Sequence, residues 1–115
     1  MATRSRIAVQ QQDGTIKSIY CHWDGYPSHN GAILLEHYTR EKADMLMEVG
    51  DIRVLDAKSE YDIFDSEGKH HNDFDSFLEN AFSMDEEYVY VLMEDDQWYC
   101  FEQEGKVKHT LKDIV

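Results

Sequence analysis

The run Glu87-Tyr-Val-Tyr-Val-Leu-Met93 is closed by the acidic turn Glu94-Asp95-Asp96 and answered by Gln97-Trp98-Tyr99-Cys100-Phe101. This is the feature that most limits what the chain can become. β-Branched and aromatic residues favour the pleated, half-buried strand, and two such arms around a short polar turn predict a hairpin. A second hairpin is predicted near the N-terminus. Arg6-Ile7-Ala8-Val9-Gln10 alternates, Asp13-Gly14 marks a turn, and Thr15 to His22 is rich in β-formers.

Between the hairpins the apolar period changes. Ile33, Leu34, His37 and Tyr38 share one helical face, with Ser28 or Asn30 as the expected cap. A second helical piece is expected over 41–49, with Met45, Leu46 and Val49 facing the core and Gly50 as its stop. Residues 51–55 read as a short strand or irregular. Ser66-Glu67-Gly68-Lys69 reads as a turn, and His70-His71 as an exposed one. A third helix is expected over 73–82, with Phe74, Phe77, Leu78 and Phe82 on one side and Asn72 or Asp73 capping it. Leu111, Ile114 and Val115 fold back as a last turn or strand. Irregular alternation of strands and helices argues against βαβ units. The expectation is one α+β domain over 1–115: a mostly antiparallel sheet of two hairpins, with about three helices packed on one side.

The charge is lopsided. The chain carries 24 acidic and 11 basic residues, a net −13. Residues 56–104 hold 16 acids and two bases, a net −14, whereas the other 66 residues sum to +1. A polyanion repels nucleic acid and anionic membrane, so direct binding to either is disfavoured and a basic partner is favoured. The first residues lack the apolar run of a signal peptide, and no stretch approaches the roughly 20 apolar residues of a membrane span. The surface expected to bind comprises Asp62, Asp65, Asp73, Asp75, Asp85, Glu86, Glu87, Glu94, Asp95 and Asp96. The alternative is a solvated face that only aids solubility.

The chemistry of known sites is weakly represented. Placing Gly68 at position 6 of a calcium loop puts Ile63 and Phe74 at the essential ligand positions, which rejects an EF-hand. The six histidines show no zinc spacing. Cys21 and His22 are neighbours on a strand and point to opposite faces. No nucleophile elbow, P-loop or dinucleotide fingerprint occurs. Neither a cofactor, a metal nor catalysis is expected. Two cysteines read as buried core thiols; they could bridge only if their strands were neighbours.

The least generic stretch is Tyr20-Cys21-His22-Trp23-Asp24-Gly25-Tyr26-Pro27-Ser28-His29-Asn30-Gly31. Structurally it is a strand-to-helix corner, in which Trp23 and Pro27 are expected mainly to hold the turn. Functionally, Trp23, Asp24 and Tyr26 form a second candidate site. With Thr3-Arg4-Ser5 before it and Gly50-Asp51-Ile52 after it, this stretch resembles a family of small, mostly uncharacterised proteins of tailed bacteriophages. The resemblance covers roughly residues 1–55. It implies a phage accessory protein acting in the host cytoplasm and supplies no catalytic residue. Small acidic phage proteins often inhibit host machinery, some by imitating DNA. The resulting expectation is a non-catalytic inhibitor of a basic host nucleic-acid-binding protein. Behind it stand an accessory or assembly module binding through the Trp23/Tyr26 corner, and then a small enzyme.

Overall fold

A computed structural model describes residues 3–58, 61–64, 66–84 and 86–115. Two hairpins are present, β1 (Ser5–Gln10) with β2 (Ile16–Cys21), and β4 (Tyr88–Leu92) with β5 (Trp98–Glu102). They are joined through their first strands. β1 pairs with β4 in parallel, Ile7 opposite Tyr90, so the six-stranded sheet runs β3-β2-β1-β4-β5-β6 and is mixed, with one parallel pairing at its centre, rather than the expected antiparallel sheet of two hairpins. The two edges are short polar strands absent from the sequence reading, β3 (Lys69–His71) and β6 (Val107–Thr110). The expected turn at 66–69 therefore runs directly into an edge strand. His71 is half-buried rather than part of an exposed turn, while His70 is exposed.

The helices cover both faces, not one. A single π-type turn, Pro27–Gly31, leads into α1 (Ala32–His37) and α2 (Arg40–Val49). Leu34, Tyr38, Ala43, Leu46 and Met47 from these helices pack on Ile7, Val9, Ile19, Tyr90, Leu92 and Trp98. The other face carries α3 (Phe74–Ser83), whose Phe77 and Ala81 pack on Ala8, Ile16, Val89, Val91 and Phe101. The cause lies in β4: alternate residues go to opposite faces, and all of Val89–Leu92 are apolar and buried. An unbroken apolar strand needs cover on both sides.

Local chemistry sets the helix ends. Asp73 caps α3, accepting from the Ser76 backbone N–H at 2.8 Å. Gly50, at φ 90°, stops α2 where a Cβ would lie 2.4 Å from the Ser66 carbonyl oxygen. α2 is rotated from its expected setting: Ala43, Leu46 and Met47 are buried, while Met45 is 65% exposed. At the start of the helical segment neither Ser28 nor Asn30 acts as a cap. Pro27 opens the π-type turn, and the Tyr26 carbonyl accepts from the His29 and Asn30 N–H groups.

Candidate binding surface at the strand-to-helix corner

The corner between β2 and the π-type turn is held by its backbone. The His22 and Trp23 N–H groups donate to the Ile52 and Arg53 carbonyls, and Gly25 donates to Thr3 at 2.9 Å. A Cβ on Gly25 would lie 2.6 Å from the Thr3 oxygen, so only glycine fits between the corner and the start of β1. Asp24 takes a left-handed conformation, φ 56°, which short polar residues tolerate. Below the corner lies a buried polar network. The Asn30 amide donates to Ser5 Oγ at 3.2 Å and to Cys21 Sγ at 3.3 Å, and the Tyr90 hydroxyl donates to the Gly25 carbonyl at 2.5 Å. Burial pushes the Tyr90 phenol far up, so it stays a donor at any physiological pH. Tyr90→Phe should cost about 1–3 kcal/mol, because the Gly25 carbonyl is left buried without its partner. Urea unfolding measures this. An unchanged midpoint would show that the hydroxyl does not anchor the corner.

The aromatic side chains of this rigid corner face outward. Trp23 is 42% exposed and Tyr26 39% exposed. Trp23 meets His22 edge-on, with ring centroids 4.7 Å apart, and is not packed into the core. The expectation that Trp23 mainly holds the turn is therefore overturned: hydrogen bonds and Pro27 hold it instead. Sequence reading also missed the neighbours of Trp23. Residues 51–53 run beside the end of β2, the Ile52 N–H donating to the Tyr20 carbonyl, and residues 62–64 pair with them, which brings Phe64 within 6.0 Å of Tyr20 and 5.9 Å of His22. Arg53 lies 4.3 Å over the Phe64 ring and pairs with Asp62 at 2.9 Å.

The predicted acidic surface is not contiguous. Asp65 and Asp85 lie outside the described residues. Glu94, Asp95 and Asp96 sit at the end of β4, beside the β1–β2 turn. Asp73 and Asp75 start α3 just past His71, whose partner Ile16 is opposite Gln10, at that same end. Glu87 lies at the opposite end, its N–H on the Arg4 carbonyl. The five residues of β4 separate the two groups by about 17 Å.

Several of the predicted acids serve the fold. Asp95 accepts from Gln97 N–H at 3.0 Å and from the Tyr99 hydroxyl at 2.6 Å, bonds that hold its carboxyl below the usual range. Asp96, at φ 61°, pairs with Arg40 at 2.6 Å. Glu86 is not on the surface at all. It is 3% exposed and accepts from Arg6 Nε at 2.9 Å, while Arg6 also donates to Ser18 Oγ at 3.0 Å. Asp75, Glu87 and Glu94 are exposed.

Both thiols are free, buried and inert. Burial raises Cys21, and pushes Cys100 up to about 12. Strands β1 and β4 lie between them, which puts them about 14 Å apart across three strand spacings, beyond the reach of a disulfide. Among the described residues no group of three histidine, cysteine or acidic side chains converges as for a metal ion, and no helix is long and apolar enough to cross a membrane. A shallow cleft of about 650 Å³ beside β3 mixes Lys17, Lys69 and His70 with Glu48 and Glu67. No protein-family model, curated protein or solved structure matches this chain.

Proposed function

We propose that this protein is a non-catalytic binding module that docks a protein partner through its Trp23–Tyr26 corner. One observation carries the reading: the corner's backbone is pinned by buried hydrogen bonds while its two large rings remain about 40% exposed. Interfaces draw most of their affinity from such aromatic anchors, and a rigid loop loses little entropy when it binds. The resemblance of residues 1–55 to small phage proteins supplies a setting, the cytoplasm of an infected host.

The first test is Trp23→Ala. Melting should shift far less than the roughly 3–5 kcal/mol that a packed aromatic costs. The double variant Trp23→Ala/Tyr26→Ala should lose a partner that the wild type captures from host lysate and binds again when that partner is purified. A folded double variant that retains the purified partner would end this reading.

A second reading, favoured by the net charge of −13, is inhibition of a basic nucleic-acid-binding protein through the acids. The exposed acids Asp75 and Glu94 would carry it from the turn end of the sheet. Their neutralisation to Asn and Gln should leave the fold intact and flatten the salt dependence of partner binding, since each lost contact releases fewer counterions. An unchanged salt slope in the folded variant removes this reading. The separation of the acids weakens imitation of a continuous phosphate backbone.

A further inference from the structure

The apolar face under α3 is covered by a helix tied to the weakest edge of the sheet. β3 pairs with β2 through three residues, and only Asn72 and Asp73 separate His71 from α3. Lys69 Nζ reaches from β3 to Asn80 Oδ1 at 3.4 Å and to Met84 Sδ at 2.7 Å, which ties the strand to the helix. The His71 ring lies at their junction, edge-on to Phe77 with centroids 5.7 Å apart. Beneath this cover lie Ala8, Ile16, Val89, Val91 and Phe101.

The surroundings of His71 suit a neutral ring. Its Nδ1 is buried without a hydrogen-bond partner among the described residues, so a proton added there would be a buried donor with nothing to bond. Arg6 faces the ring from β1, and Lys69 and His70 flank it on β3. Burial pushes its pKa below the usual 6.5, and these neighbours add to the effect. The groups that favour a charged ring are engaged elsewhere. Asn80 bonds the ring from α3 but also accepts from Lys69. Asp73 faces it from the start of α3, yet is exposed and holds the N–H and hydroxyl of Ser76. Glu86 is paired with Arg6, and Asp13 in the β1–β2 turn faces His70.

We infer that His71 is an acid latch: a proton on its ring releases β3 and α3 from the sheet and uncovers the apolar face beneath them. The release is local, because a three-residue edge pairing opens at lower cost than the central strands. The larger core, on the opposite face, contains no contact with His71. The sign follows from the groups around the ring. A group whose folded pKa lies below its unfolded value binds fewer protons when folded. Its contribution to stability is complete above the unfolded value, near 6.5, and is lost as pH falls through the folded one. Over that window each pH unit raises the opening equilibrium by up to about tenfold.

Amide hydrogen exchange by NMR, corrected for the intrinsic rate, tests this on the whole chain. Between about pH 7.5 and about pH 5.5 the opening constants of amides in β3 and α3 should rise by up to about tenfold, while those in β4 and β5 hold. The His71 ring should titrate below 6.5 in the same series. His71→Phe keeps a ring against Phe77 but takes no proton, so its exchange should not respond to pH over this range. His71→Gln gives the same readout if the phenylalanine variant does not fold. Lys69→Met, which removes a facing cation, should shrink the rise, and His70→Gln should leave most of it in place. A rise that persists in the His71 variants, or that vanishes in His70→Gln, overturns the assignment. So does a rise shared equally by β4 and β5, the absence of any rise, or a His71 ring that titrates at or above 6.5.

Discussion

Arg6→Ala is expected to destabilise the protein by about 3–5 kcal/mol, because it strands the carboxylate of Glu86 inside the fold. Both side chains are almost wholly buried, with a 2.9 Å contact between Arg6 Nε and Glu86 Oε1. The second oxygen of Glu86 already has no hydrogen-bond partner among the described residues. Burial raises the Glu86 pKa above its ordinary 4.5, and Arg6 opposes that shift. Removing Arg6 removes the opposition, so the folded pKa rises further.

The sign of the pH effect follows from that shift. A carboxyl whose folded pKa exceeds its unfolded value binds more protons when folded. Its relative stabilisation is complete below the unfolded pKa and is lost as pH rises through the folded one. The deficit of Arg6→Ala against wild type should therefore shrink between about pH 7 and pH 5, as Glu86 takes up a proton. The double variant Arg6→Met/Glu86→Leu should recover most of the loss, since replacing a whole buried pair by apolar groups is often neutral. Urea unfolding at the two pH values measures all three. A deficit that is the same at both would mean that Glu86 is not the stranded group.

That pair also marks how far the sequence could be read. Hairpins, helix α3 with its Asp73 cap and the stop at Gly50 were legible because each rests on chemistry within a few residues. Glu86 was not. It lies in the run Asp85-Glu86-Glu87, which has the composition of a solvated face, and its burial is decided by Arg6, 80 positions away. The parallel pairing of β1 with β4 is equally non-local. Strands β3 and β6 carry polar residues that pair through their backbone at the sheet edges, so no apolar pattern announces them. The corner stood out as an unusual string. Its aromatic neighbours did not, because Phe64 and Arg53 reach Tyr20 and His22 only through non-local backbone bonds, Ile52 N–H to the Tyr20 carbonyl and Phe64 N–H to the Asp51 carbonyl.

Phe77→Ala is expected to cost about 3–5 kcal/mol, and its cost tests the two-faced architecture. Phe77 is fully buried beneath α3, where it meets Phe74 and His71 at centroid distances of 6.1 and 5.7 Å. Among the described residues the core on this side is the smaller one, and Ala8 and Ala81 are two of its seven buried residues. Small neighbours leave little that can collapse into the space of a lost ring, and cavity cost grows with the volume left open. A domain of this size holds only about 5–15 kcal/mol in total, so the loss should bring the urea midpoint down sharply. If α3 rested on solvent-exposed strand, with all helices on the opposite face, the same change would stay within about 0.5 kcal/mol. Phe77→Leu should fall between, since it keeps most of the volume. Iodide quenching of Trp23 in the native Phe77→Leu protein should match wild type, because the corner is anchored through Tyr90 and Asn30 on the other side of the sheet. Altered quenching in that variant would show that the two cores communicate through β1 and β4.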